Sequence, residues 1–235
     1  MESVRLMNRV DTKYLTVEPV VDEILRLAAD GFLIQEINGI RQPRYHSTYF
    51  DTPDARMYYD HQRGKKSRRK VRIRKYLDSD TPPFLEVKDK NNKGRTKKHR
   101  VAMNEGSDIR AFEIFITQNS EFSTSSLIPH IENTFRRITL VNIEKTERIT
   151  IDTSLEFNNF VSGQKIELPG LAVIEWKRDA LAANSLLKHI LNSLRIHQSG
   201  FSKYCIGMAL SNPLLKNNRI KPRLRLVDKI LFNNG

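Results

Sequence analysis

Nine residues from Arg68 to Tyr76 carry basic side chains at alternate positions, in the order Arg-Arg-Lys-Val-Arg-Ile-Arg-Lys-Tyr. Successive side chains of a β-strand point to opposite faces, so Lys70, Arg72 and Arg74 share one face while Val71 and Ile73 share the other. The segment is therefore predicted to be a strand with one apolar face and one strongly basic face.

The same alternation recurs in four other predicted strands. Their charged faces carry Arg9, Asp11 and Lys13; Glu86 and Lys88; Lys98 and Arg100; and Glu175 and Lys177. A single charged face is usually the solvated side of an antiparallel sheet, but several faces that concentrate Arg and Lys suggest one charged interior. Guanidinium and ammonium groups bind phosphate oxygens, and a carboxylate holds a hard divalent cation, so the pattern predicts a site for a polyanion with a metal ion.

Composition agrees with an anionic partner without identifying it. The 235 residues contain 40 Lys and Arg against 27 Asp and Glu, which gives a net charge of +13. The lone cysteine, Cys205, excludes an intramolecular disulfide and is compatible with a reducing compartment. No segment resembles a signal peptide or reaches the roughly 18 apolar residues of a membrane span, so we expect a soluble, cytoplasmic protein. Any action at a membrane would need a membrane-protein partner.

The element pattern predicts an α+β fold in one domain. We expect about eight long strands in a closed antiparallel β-barrel, because closure gives the charged faces an interior of their own, with flanking helices. The predicted helices include Asn184 to Leu194, Ser107 to Asn119 and Ser126 to Phe135. The domain is expected to span residues 1–211, and the basic tail 212–235 is expected to pack on it or to be partly disordered.

Taken in order along the chain, the motifs resemble the VTC domain, the polyphosphate polymerase module of the vacuolar transporter chaperone family. That family lies within the CYTH or triphosphate tunnel metalloenzyme superfamily. The resemblance runs from Arg9 to about Leu210. It rests on Arg9-x-Asp11-x-Lys13-Tyr14, Tyr49-Phe50-Asp51-Thr52, Lys70-Val-Arg72-Ile-Arg74-x-Tyr76, Glu86-Val-Lys88, Lys98-x-Arg100, Glu147-Arg148-Ile-Thr-Ile-Asp152, Glu175-x-Lys177 and Ser202-Lys203-Tyr204.

The resemblance implies a tunnel whose basic lining grips the triphosphate of ATP with Mn²⁺ or Mg²⁺, and transfer of the terminal phosphoryl group to inorganic polyphosphate. Phosphate and pyrophosphate are further expected ligands. The catalytic residues implied are Lys13, Arg72, Arg74, Lys88, Arg148 and Lys203. The substrate-binding residues implied are Arg9, Lys70, Lys98, Arg100, Lys177 and Ser202. Glu175 would be the main metal ligand, and Glu86 would be either a second ligand or a salt-bridge partner of the basic side chains.

Three other functions are compatible with the chain. A hydrolase of the same superfamily, acting on inorganic triphosphate or a nucleoside triphosphate, differs only in whether water or a phosphate chain attacks. The first strand offers Arg9 and Asp11 where the superfamily has two glutamates, which favours the polymerase. The second alternative function is a catalytically silent module that binds polyphosphate. The third alternative is nucleic-acid binding, which is not favoured because the basic residues alternate with Val and Ile and no aromatic stacking platform accompanies them.

Overall fold

The computed structural model describes residues 9–92, 96–179 and 185–232. The strands within these ranges are β1 Arg9–Val17, β2 Phe32–Ile34, β3 Arg44–Asp51, β4 Arg68–Tyr76, β5 Phe84–Lys90, β6 Thr96–Ala102, β7 Ile128–Asn142, β8 Glu147–Asn159, β9 Lys165–Leu168, β10 Leu171–Asp179 and β11 Gln198–Ser199. The α-helices are α1 Pro19–Ala28, α2 Arg56–Gln62, α3 Glu113–Asn119, α4 Leu186–Ser193, α5 Lys203–Ser211 and α6 Lys221–Phe232. The predicted α+β class is confirmed.

All eleven strands belong to one antiparallel sheet in the order β11-β1-β10-β8-β7-β3-β4-β5-β6, with β2 added to β7 and β9 added to β8. The closed barrel of about eight strands is not borne out, because within the described ranges no ladder joins β6 to the opposite end of the sheet. That end is β11, which has only two residues and pairs with Lys13 and Tyr14 alone. The sheet nevertheless curls, since residues from both ends line a common cavity.

The outer face of the curled sheet is covered by α1 and α4. Ile24 of α1 and Leu187 and Leu191 of α4 pack in one buried cluster with Ile149 and Trp176 of the sheet. The apolar spacing within α1 and α4 accounts for this contact, because residues three and four apart share one side of a helix. The prediction of a helix at Asn184 to Leu194 is confirmed for the described part, which begins at residue 185; Asn184 lies outside it.

Helix α5 lies against the inner face, where it fills part of the space that the sheet surrounds. Seven of its nine residues are buried, as expected for a helix enclosed on all sides. A Cβ at Gly207 would lie 2.5 Å from a ring carbon of Phe157 and 2.8 Å from the Ile131 side chain. Only glycine lets this helix approach the sheet so closely, and its amino terminus is thereby held at the remaining open space.

The helix predicted over Ser126 to Phe135 is wrong, because β7 begins at Ile128 and continues to Asn142. The apolar residues of this segment can be placed on one side of a helix, but the chain lies between β3 and β8 and pairs with both. Two ladders of backbone hydrogen bonds therefore outweigh the local preference. The prediction at Ser107 to Asn119 is confirmed in outline as a 3₁₀ turn, Ile109–Phe112, followed by α3.

The C-terminal segment ends in α6, which packs on the same inner cluster as α5. Ile220 and Val227 are each 1% exposed within that cluster. None of the helices in the described ranges has the length and apolar character needed to cross a membrane.

Candidate functional site

The inner face of the sheet that α5 leaves uncovered lines a cavity of about 940 Å³. Its lining is strongly basic, and the carboxylates that the described residues contribute are Asp11 and Glu175. The basic residues at the cavity are Lys13, Arg68, Arg69, Lys70, Arg72, Arg74, Lys88, Lys90, Lys98, Arg137, Arg148, Lys177, Lys203, Arg219 and Arg223.

Strand register brings several of these cations side by side. Lys70 of β4 lies directly opposite Lys88 of β5, and Lys88 lies opposite Lys98 of β6, which makes a row of three lysines across neighbouring strands. Like charges in directly opposed positions destabilise a sheet. Such a row is expected where a ligand supplies the opposite charge.

Glu86 lies behind this basic surface and partly neutralises it. Its side chain is 1% exposed; Oε2 accepts hydrogen bonds from Nε and Nη2 of Arg72 at 2.8 and 2.5 Å, and Oε1 accepts one from Lys98 at 3.1 Å. Burial alone would raise the pKa of Glu86, but Arg72, Arg74 and Lys98 hold it well below the ordinary value. Both carboxylate oxygens are therefore occupied, which favours the salt-bridge role over metal binding.

A second buried acid, Asp152 of β8, organises the opposite wall. Arg137 of β7 donates to its two oxygens from Nε at 2.5 Å and Nη2 at 2.8 Å, and Lys203 at the start of α5 donates to Oδ2. Burial opposes ionisation of Asp152, yet these two cations keep its pKa well below the ordinary value. Arg137 was missed in the sequence because the next positions on its face of the strand, Thr139 and Val141, are uncharged and give no alternating pattern of charge.

Glu175 differs from Glu86 and Asp152 because its carboxylate lines the cavity. Its side chain is 21% exposed, and Oε2 lies 3.5 Å from Nζ of Lys177. Burial would raise its pKa, but Lys13, Lys177 and Lys88 hold it well below the ordinary value, so the group is an anion.

The Glu175 carboxylate is suited to bind Mg²⁺ or Mn²⁺ that enters the cavity together with phosphate. Such ions are held by one or two carboxylates, while phosphates and water supply the other ligands. The described residues contain no cluster of three or more His, Cys, Asp or Glu side chains suited to a metal ion, so a cage formed wholly by protein is not expected within them. The metal assignments of Glu175 and Glu86 stay predictions.

Burial and nearby cations lower the pKa of three lysines at the cavity. Arg72 and burial hold the pKa of Lys88 well below its ordinary value. Burial lowers the pKa of Lys203 to about 8 even though Asp152 opposes the change. Burial likewise lowers the pKa of Lys70, whose Nζ donates to Oγ of Ser202 at 2.8 Å. Without a bound anion the cavity disfavours protonation of these lysines, and a bound anion would favour it again.

The amino terminus of α5 adds a further attraction for anions. Ser202 caps this helix by accepting from the backbone N–H of Cys205 at 3.3 Å, and Ser202 and Lys203 both line the cavity. The positive end of the helix dipole is directed at the space where an anion would lie. Nearby, Lys13 Nζ donates to the carbonyl oxygen of Phe201 at 2.7 Å, which ties β1 to this end of α5.

Most of the predicted site residues are brought together at this cavity. Those that line it are Lys13, Lys70, Arg72, Arg74, Lys88, Lys98, Arg148, Glu175, Lys177, Ser202 and Lys203. Arg100 is exposed and does not line it; its guanidinium carbon lies 4.8 Å from the centre of the Phe84 ring. Glu86 lies behind the lining, and the side chain of Arg9 is outside the described part of the structure.

Comparison with known proteins gives one family and a set of similar folds. A family model of the VTC domain matches residues 8–212. A candidate adenylate cyclase from Bacillus halodurans has a similar structure at 12% identity, with a TM-score of 0.53 over 83% of this chain and 94% of that chain. HpAC1 from Hippeastrum, a candidate adenylyl cyclase described as having a dominant triphosphatase activity, has 15% identity and a TM-score of 0.51 over 88% and 97%. At these identities the likeness shows the fold alone. No curated protein matches the chain.

Proposed function

The chain belongs to the VTC domain family, and from that premise we propose that it is a polyphosphate polymerase that transfers the γ-phosphoryl group of ATP to a growing inorganic polyphosphate chain. The observation that carries this proposal is a cavity crowded with Lys and Arg whose lining includes the ionised carboxylate of Glu175. Such a cavity matches a triphosphate accompanied by a divalent cation. The cytoplasmic location and the membrane-protein partner stay expectations.

Charge balance is the first task of the proposed site. The triphosphate of ATP carries about four negative charges at neutral pH. The lysine row of Lys70, Lys88 and Lys98 and the Arg72 guanidinium lie on adjacent strands, so one bound triphosphate can contact several of them. Glu175 would hold Mn²⁺ or Mg²⁺, which would neutralise charge on the phosphate oxygens when bound.

Positioning is the second task. In the proposed step an oxygen of the terminal phosphate of the chain forms a bond to the γ-phosphorus, the bond from that phosphorus to the β,γ-bridging oxygen breaks, and ADP leaves with the electron pair. The attacking oxygen is already anionic, so the step needs no general base. Catalysis then depends on in-line alignment and on cations at the transferring group, which Arg72 on β4 and Arg137 on β7 can supply.

A triphosphate hydrolase is the second candidate, and one observation favours it. Asp11 lines the cavity on β1, two residues before Lys13, which lies opposite Glu175. A carboxylate there could accept a proton from an attacking water, which a hydrolase needs and a polymerase does not. The triphosphatase activity described for the Hippeastrum protein supports the same candidate by analogy of fold. A non-catalytic polyphosphate-binding module would use the same cations without turnover.

The test is to incubate the purified protein with ATP and Mn²⁺ and to separate the products on a gel that resolves long polyphosphate from orthophosphate. We expect a ladder of phosphate chains with stoichiometric ADP. Orthophosphate alone would identify a hydrolase. Unchanged ATP together with tight tripolyphosphate binding would identify a binding module. The Glu175→Gln variant, assayed in the same way, gives the background rate of ATP consumption.

A further inference from the structure

The C-terminal segment contributes to the cavity although it lies beyond the family match, which ends at residue 212. Arg219, Ile220 and Arg223 line the same cavity as the predicted phosphate-binding residues. Burial lowers the pKa of His61, and so do Lys70, Arg68, Arg223 and Lys90, so Arg223 lies at the same end of the lining as Arg68 and Lys90, which are opposed to each other on β4 and β5. Nothing in the VTC match assigns a role to these arginines.

Contacts with α2 hold the segment in place. The Tyr58 hydroxyl donates to the carbonyl oxygen of Lys216 at 3.2 Å, and Nη1 of Arg219 donates to the carbonyl oxygen of Arg63 at 2.9 Å. Ile220 is 1% exposed, so the chain is anchored between the two arginines. Both guanidinium groups are consequently held at the cavity.

Two glycines provide the space that the arginines occupy. A Cβ at Gly64 would lie 2.1 Å from Nη1 of Arg219, and a Cβ at Gly200 would lie 2.8 Å from Nε of Arg223. Any larger residue at Gly64 or Gly200 would force the guanidinium to move. The loops after α2 and β11 are thus fitted to these two side chains.

Unsatisfied polar atoms occur in the same lining. The Nδ1 atom of His61 and the Oγ atom of Ser199 are buried and have no hydrogen-bond partner among the described residues, and both residues line the cavity. Buried polar groups normally have partners, so these two indicate room for a polar ligand.

We propose that Arg219 and Arg223, together with Arg68 and Lys90, form an outer anion site that binds a polyphosphate chain where it extends past the triphosphate. Arg68 is four residues along β4 from Arg72, or about 13 Å at the usual rise of a strand, so a long chain can contact both sites. The proposal rests on the proposed function, because it assumes that a phosphate chain occupies the cavity. Binding to linear polyanions of this kind weakens with salt in proportion to the number of contacts.

The test compares two ligands that differ in the length of their phosphate chain. Tripolyphosphate and long-chain polyphosphate are titrated by calorimetry into the wild type and the Arg219→Gln/Arg223→Gln double variant over a range of salt concentrations. We expect tripolyphosphate affinity to stay within about twofold, long-chain affinity to fall at least about tenfold, and the salt slope for the long chain alone to decrease by about two. Arg225→Gln removes one positive charge from an exposed position of α6 off the cavity and should leave both affinities unchanged.

A second variant keeps the proposal testable if the double variant folds poorly. Gly200→Ala retains both arginines but displaces Arg223, so it should weaken only the long chain, by about threefold or more. Equal loss for tripolyphosphate and the long chain would place the segment at the triphosphate itself and overturn the outer site. Unchanged long-chain affinity in both variants would also overturn it while leaving the proposed function intact. Failure of the wild type to bind either ligand would overturn both.

Discussion

Replacing Glu86 by glutamine tests whether this acid neutralises the basic wall or binds metal. The carboxylate is 1% exposed and accepts from Arg72 and Lys98, so Glu86→Gln leaves the buried Arg72 guanidinium without its ionised partner. The amide keeps the size of the side chain and removes its charge. The expected result is a large loss of stability in the protein without ligand.

The magnitude follows from burial. Removing one partner of a buried ion pair costs about 3–5 kcal/mol, and in a chain of this length each kcal/mol lowers the melting temperature by about 2–4 °C. The variant should therefore melt about 6–20 °C below the wild type. Asp89→Asn is the matched control on the same strand, because its pair with Arg69 is 20–25% exposed and Arg69 keeps a second partner, Glu121, so the loss of stability should be smaller.

The assay is thermal unfolding followed by circular dichroism, with and without tripolyphosphate and Mn²⁺. The pKa of Glu86 is held below its reference value of 4.5, so its stabilisation is present above that pH and is lost as the pH falls through the folded-state pKa. The difference between the two proteins should thus be complete at pH 7 and shrink in acid. If the variant melts like Asp89→Asn without ligand but loses stabilisation by Mn²⁺, the salt-bridge role is refuted and Glu86 is a metal ligand.

Three further predictions concern single cavity residues. Glu175→Gln should abolish Mn²⁺-dependent turnover while tripolyphosphate affinity without metal stays the same or rises, as measured by gel assay and calorimetry; normal turnover would exclude Glu175 as the main ligand. Lys88→Met should stabilise the empty protein by about 1 kcal/mol, because it removes a disfavoured buried charge, and should weaken tripolyphosphate at least about tenfold; a destabilised variant would contradict this. The pKa of Lys203 near 8 predicts that tripolyphosphate binding takes up a proton at pH 8–9 and weakens as the pH rises through that range. In the protein without ligand, the contribution of this group to the free energy of unfolding should increase as the pH rises from 8 to 10.5, because the unfolded chain holds the proton more tightly over that range. Calorimetry in buffers of different ionisation enthalpy measures the uptake, which Lys203→Arg should reduce.

Strand alternation made much of the site predictable. The cavity-facing positions on β4, β5 and β10 follow from a period of two, which depends only on local backbone geometry. Lys70, Arg72 and Arg74 line one cavity as this period requires. Arg100 does not, although it follows Lys98 at the same spacing, because β6 is an edge of the sheet and the Arg100 guanidinium lies over the Phe84 ring instead.

Pairing between distant segments could not be predicted in the same way. The helix predicted over Ser126 to Phe135 hid the first half of β7, since the ladder to β3 that stabilises this half joins residues far apart in sequence. The open edge at β11 likewise depends on which strands meet after the sheet has curled. Local patterns contain no information on either point.

The amphipathic strands, with cations on one face, follow from local backbone geometry, because side chains at alternate positions of a strand point to the same face. Which groups those cations contact depends on the packed fold. Lys13 contacts the carbonyl of Phe201 across 188 positions, and Lys203 reaches Asp152 across 51. Such partners are set by the curl of the sheet and the docking of α5 and the C-terminal segment, which are products of the whole packed core.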